Sequence, residues 1–137
     1  MSLFKVFAVA GSGMSAQALR LNVTASNLAN ADSISGSEGK TYRAREPVFA
    51  ALVDSFSAEE GSAGVQVLGV VESQAPLRKE YQPGHPLADT EGYVYRPNVN
   101  AVEEMANMIS AARSYETDVE VINTSKQLLL RTLQLGE

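Results

Sequence analysis

A chain of 137 residues with 45% apolar and 20% charged residues holds one domain, or one small domain with long appendages. Its net charge of −5 and scattered basic residues, clustered only as Arg43/Arg45 and Arg78/Lys79, argue against a nucleic-acid surface, which needs a basic stripe. The absence of cysteine excludes disulfides, thiolate metal sites and a cysteine nucleophile, and no stretch reaches the roughly 20 apolar residues of a membrane span.

The chain opens with a short apolar run from Leu3 to Ala10 around a single lysine, Lys5. Gly11-Ser12-Gly13 ends that run early, so no cleaved signal peptide is expected. A seven-residue period runs through the first thirty residues. Phe7, Met14, Leu21 and Leu28 form one column, and Phe4, Gly11, Ala18 and Ala25 precede them by three. This 3,4 spacing predicts an amphipathic helix with a coiled-coil seam, one column large and the other mostly small. The helix should end near Asn27 to Asp32, where Asn and Asp compete for backbone hydrogen bonds, and Ser33 to Lys40 reads as a loop.

The middle of the chain has a different texture. Val65 to Val71 is rich in β-branched residues and predicts a strand, as do Leu77 to Tyr81 and Tyr93 to Tyr95, while Pro47 to Phe56 fits strand or helix. Gly61, Gly64, Pro83-Gly84, Pro86 and Gly92 supply turns between them. A second long helix then starts after Pro97. Asn100, with Glu103 three residues on, is its expected cap, and Gly136 its expected stop. Its apolar column is Ala101, Met105, Met108, Ala112, Tyr115, Val119, Ile122, Lys126, Leu129 and Leu133, broken only by Lys126. The fold class is therefore α+β: long N- and C-terminal helices (residues 1–32 and 98–137) with a small β-rich domain (33–97) between them. So small a middle cannot cover both helices, and Val9, Val23, Ile109, Leu128 and Leu130 lie off the seams, which points to burial in an oligomer.

Several features imitate catalytic sites. Gly11-Ser12-Gly13-Met14-Ser15-Ala16, with Asp32 further on, has dinucleotide-fingerprint spacing, but no second apolar strand leads to Asp32. His85 lies among prolines near Asp89 and Glu91 with no nucleophile or third ligand, and reads as a loop residue. Glu59-Glu60 and Glu103-Glu104 are adjacent pairs, which cannot face each other across a substrate. No catalytic, cofactor or metal residue is assigned. A small dinucleotide-binding enzyme and a soluble coiled-coil adaptor stand as alternatives to the reading below.

The run Ala16 to Ala31, with Asn27-Leu28-Ala29-Asn30-Ala31 at its end, closely resembles the N-terminal signature of flagellar rod and hook proteins. Pro97 to Met105, including Asn98, Asn100 and Glu104, and Ala112 to Glu116 are similar to the C-terminal signature of the same group. Ser2-Leu3-Phe4 and the stretch around Pro83-Gly84-His85-Pro86 look most like its proximal-rod branch. Ala101 departs from the proline or valine more usual there. The resemblance implies a structural subunit whose terminal helices form an antiparallel coiled coil and polymerise into the tube of the basal-body rod, with the β-rich part outside. On that reading Phe7, Met14, Leu21 and Leu28 pack against Met105, Ala112, Val119, Ile122 and Leu129. The implied partners are copies of itself, other rod subunits (FlgB, FlgF, FlgG), the rod-base adaptor FliE, the MS ring and the flagellar type III export apparatus. Asn27 and Asn30 are expected at the helix end and at subunit contacts.

Overall fold

The computed structural model describes residues 3–53 and 63–135. Helix α1 spans Leu3–Asn30 and helix α2 spans Ala101–Gln134, about 42 and 51 Å at 1.5 Å per residue. Between them lie strands β1 (Arg45–Val53), β2 (Ala63–Glu72), β3 (Arg78–Tyr81) and β4 (Tyr93–Arg96). The fold is α+β, with two long terminal helices and a small antiparallel β region. The expected stop at Gly136, the acidic pair Glu59-Glu60, the turn at Gly61 and the end of the Pro47–Phe56 segment lie outside the described residues. The part of that segment that is described is strand β1.

α1 stays helical through Gly11 and Gly13, although each glycine costs about 1 kcal/mol relative to alanine. A tertiary contact explains Gly13, whereas nothing lies within 4 Å of a Cβ on Gly11. A Cβ on Gly13 would sit 2.7 Å from a carboxylate oxygen of Asp118 on α2, and Ser12 between them anchors β2, as described below. α2 is capped as its sequence indicates, Asn100 Oδ1 accepting from the amides of Val102 at 3.1 Å and Glu103 at 3.4 Å. The early acids Glu103 and Glu104 and the late Arg131 suit its dipole.

The helices run antiparallel: Arg20 donates to Asn107 Oδ1 at 3.2 Å, and Gly13 meets Asp118 further along. The packed stripe differs from the heptad columns. α1 is covered from two sides, by α2 and by the β1–β2 pair. Its buried positions, Ala10, Ala16, Val23, Thr24 and Asn27, therefore span a face that a single helical partner would not cover. Phe7, Met14, Leu21 and Leu28 are half-buried at the flank of that face, and Phe4 is 77% exposed. On α2, Met108, Tyr115, Ile122 and Leu129 are half-buried as one column. The second column is Ala111, Asp118 and Ser125, with Ala111 fully buried. The expected one lies further out: Met105 is 55% exposed, Leu133 62% exposed and Lys126 also exposed, while Ala112 and Val119 are half-buried. Small residues win the second column because they let two backbones approach closely, and that approach leaves large side chains outside.

β1 and β2 pair antiparallel, with a bulge where Val48 faces Gly69 but Phe49 faces Val67. Leu68 is the extra residue, and Gly69 takes a φ of +155° that side-chain-bearing residues rarely adopt. β3 and β4 form a separate two-stranded sheet, extended by a bridge from Ser35 to Tyr95. The β region is thus two small sheets with no shared ladder. The core sits where helix ends and strand bases meet: Ala31, Ala44 and Val99 cluster with Tyr42, and Val94 and Pro97 are fully buried nearby.

Candidate functional site

The polar residues of the two signature motifs converge on one stretch of chain, the entry to β1. Asn27, one turn before the end of α1, is 1% exposed. Its Nδ2 donates to the Arg45 carbonyl at 2.9 Å, and its Oδ1 accepts from the Arg45 amide at 2.9 Å and from the Tyr42 hydroxyl at 2.8 Å. The side-chain amide thus satisfies both backbone groups of Arg45, as a neighbouring strand would. Tyr42 also meets Ser26 Oγ at 3.1 Å, and the Arg45 guanidinium lies 5.4 Å from the Tyr42 ring centre.

Asn98, just before α2, takes the adjacent amide. Its Oδ1 accepts from Ala44 N at 2.8 Å, and its Nδ2 donates to the carbonyls of Ala75 at 2.9 Å and Ser73 at 3.4 Å. Ser73 N in turn donates to Ala44 O at 2.8 Å. Two asparagines, one from each helix end, therefore hold consecutive amides of the segment entering β1. Arg78 closes the arrangement by donating to Pro97 O at 3.2 Å and Ala31 O at 3.4 Å.

The other motif residues are placed as follows. Asn30 ends α1, its Nδ2 returning to Ser26 O at 2.8 Å and its carbonyl accepting from Ser33. Leu28 is half-buried, Ala29 exposed and Ala31 buried, and Glu104 on α2 is half-buried. Asn27, expected at a helix end and a subunit contact, lies one turn before the end of α1, where it makes three of its four possible hydrogen bonds within its own chain.

An open groove of about 510 Å³ lies beside this clamp, between Ala31, Pro76 and Ala101. Its ionisable lining residues are already engaged: Asp32 pairs with Arg96 at 3.7 Å, and Arg78 is bonded to the two carbonyls above. Val6 to Ala10, which a dinucleotide fold would need as a strand, is helical. His85 accepts from Leu87 N at 3.1 Å through Nδ1 and so braces its own loop. Among the described residues no three His, Cys, Asp or Glu side chains gather as a metal site.

The loop joining β3 to β4 is organised by Asp89, whose Oδ1 accepts from the amides of Tyr93 at 2.8 Å and Glu91 at 2.9 Å. These donors, that of Tyr93 foremost, hold its carboxyl below the ordinary value of 3.8, against partial desolvation. The Tyr95 hydroxyl and the Lys79 charge add to the effect. A lowered folded pKa stabilises the loop fully above about pH 4, and this stabilisation disappears as pH falls through the lowered value. The Tyr93 and Glu91 amide resonances should therefore shift with a common midpoint below 3.8, and Asp89→Asn should abolish that transition. A midpoint at or above 3.8 would contradict the assignment.

Sequence reasoning singled out Asn27 and Asn98 but not what they hold. It missed Ser12, Tyr42, Arg78 and Asp89. The only available signal for Ser12 was its place between two glycines in the mostly apolar stretch from Leu3 to Met14.

Comparison with known proteins bears on the same residues. Residues 7–33 match the family described as "Flagella basal body rod protein", and residues 90–135 match "Flagellar basal body rod FlgEFG protein C-terminal". These two segments carry Asn27 and Asn98, respectively. The chain is 52% identical to the flagellar basal-body rod protein FlgC of Salmonella typhimurium over the whole of both chains. It is 52% identical to that of Escherichia coli O157:H7, again over the whole of both. With the FlgC of Borreliella burgdorferi it shares 36% identity over 98% of each chain. Identity of that extent, with both signatures intact and meeting in space, means that the chain belongs to the flagellar basal-body rod protein family.

Proposed function

We propose that this chain is a structural subunit of the bacterial flagellar basal-body rod, in its proximal part, and that it polymerises through its terminal helices into a torque-transmitting tube. It is not an enzyme and takes no cofactor. Its partners are copies of itself, the rod subunits FlgB, FlgF and FlgG, the adaptor FliE and the MS ring. It reaches the rod, which crosses the periplasm, through the flagellar type III export apparatus without a cleaved signal. The observation that carries the reading is end-to-end identity with curated rod proteins.

The apolar surface that α2 leaves outside supports it. Val102, Met105 and Ile109 form one exposed stripe, and Leu128, Leu130, Leu133 and Leu135 are exposed further along. A chain acting alone would bury such a surface, whereas a polymer covers it. In the rod the helix pair serves as a coiled coil, with Phe4, Phe7, Met14, Leu21 and Leu28 on one helix and Met105, Met108, Ala112, Tyr115, Val119, Ile122, Leu129 and Leu133 on the other shared between internal packing and neighbouring subunits.

Deleting the gene in its own host and imaging extracted basal bodies tests the assignment. Loss of rod and hook with the membrane-embedded base retained is the expected result, and complementation should restore both. Leu21→Asp should block incorporation into the rod. Met105→Asp should block it too while leaving the unfolding free energy of the isolated chain within about 0.5 kcal/mol of the wild type, as for an exposed position. Intact, motile flagella in the deletion strain would refute the rod reading. Motility with Met105→Asp would remove the α2 stripe from the interface.

A further inference from the structure

Besides its packing on α1, the β1–β2 pair is held by side-chain hydrogen bonds in two described places of unequal strength. At its base, Asn27 and Asn98 hold Arg45 and Ala44 through the amide, carbonyl and side-chain bonds described above. Near its other end, among the described residues, one side chain makes the hydrogen-bonded attachment. Ser12 Oγ accepts from Val65 N at 3.0 Å while donating to Val9 O at 2.8 Å. Fifteen residues of helix separate Ser12 from Asn27, about 22 Å, and seven residues of strand from Arg45 to Leu52 span about 23 Å. The strands thus run the length of that helical segment, packed on it along the way, with the asparagine clamp at one end and, among the described residues, one hydrogen-bonded fastening near the other. Gly64 permits the fastening, since a Cβ there would lie 3.1 Å from Ser12 Oγ. The β1–β2 pair also carries Leu52, Leu68, Val70 and Val71 as exposed apolar residues and shares no ladder with the second sheet.

We infer that the β1–β2 pair is a strap, hinged at Ala44-Arg45 and latched to α1 by Ser12, that opens from the latch end without unfolding its hinge. Opening breaks the Ser12–Val65 bond, exposes the side of the strap that lies on α1, and leaves the asparagine clamp intact. The inference concerns the isolated chain and does not depend on the rod reading.

Hydrogen exchange read at single amides by NMR tests it on the full-length chain. In the wild type, Val65 should exchange at least ten-fold faster than Arg45 while both remain protected, because a locally opening site exchanges ahead of the clamp. Ser12→Ala should speed Val65 by roughly ten-fold again and leave Arg45 unchanged, the effect of losing one hydrogen bond. A second variant covers the case in which Ser12→Ala perturbs α1. The chain has no native cysteine, so Ser12→Cys with Gly64→Cys can form only that one disulfide. The oxidised form should slow Val65 to the rate of Arg45, and reduction should reverse this. Equal exchange at Val65 and Arg45 in the wild type, a parallel rise at both in Ser12→Ala, or no difference between oxidised and reduced forms would each overturn the strap.

Discussion

Replacing Asn27 by leucine is expected to cost about 3 kcal/mol of stability, a substantial part of the 5–15 kcal/mol typical of a folded domain. Leucine branches at the same atom and is no smaller, so the loss is not a cavity effect. It arises because the Arg45 amide, the Arg45 carbonyl and the Tyr42 hydroxyl all lose their partner at a position 1% exposed. An unpaired buried polar group costs about 1–3 kcal/mol, and some access of water to Arg45 keeps the total toward the lower end. Asn27→Asp keeps the acceptor for the amide and hydroxyl but sets a carboxylate oxygen against the Arg45 carbonyl at an almost fully buried position, so it too should be destabilising. Urea unfolding with an unchanged slope reports both losses. A midpoint for Asn27→Leu equal to the wild type would mean that the amide holds nothing up.

The second large effect discriminates between two descriptions of the helix interface. Ala111→Leu should destabilise the chain by about 2 kcal/mol, because three added carbons have no room at a position with no exposed surface. Ala112→Leu, one residue on and half-buried, should cost less than half as much. The heptad columns of the sequence give the opposite order, since they put Ala112 in the seam. Thermal unfolding of the two variants decides it, and a greater loss for Ala112→Leu would restore the sequence-derived column.

The helices, the Asn100 cap and most strand positions were legible because each rests on local chemistry. Asn100 before an apolar-periodic segment and β-branched Val65 to Val71 carry their meaning within a few residues. The face of α1 was not legible, because periodicity reports that a helix has an apolar side but not how many partners share it. Val23 lay outside the heptad columns and is buried, since the β1–β2 pair covers a side that a two-helix reading leaves open. The clamp was half legible. The Asn-Leu-Ala-Asn-Ala and Pro-Asn-Val-Asn runs marked Asn27 and Asn98 through resemblance, but nothing local says that residues 71 positions apart serve adjacent amides. That pairing depends on the antiparallel return of α2 and on where the loop after α1 delivers Ala44 and Arg45. Asp89 was seen only as a neighbour of His85, whereas its carboxylate accepts three hydrogen bonds that only the folded turn brings together.

The clamp also has a mechanical meaning. Apolar stripes between helices are tolerant of sliding, because one small side chain can replace another after a shift of one turn. Ala44 and Arg45 are neighbours in the chain; Arg45 is fastened to α1 by Asn27 and Ala44 to Asn98, three residues before α2, so the two bonds restrain the axial offset between α1 and α2. A slip of one turn, about 5.4 Å, would break every bond the two asparagines make here. In the torque-transmitting tube proposed above, this joint resists shear where apolar packing alone would creep.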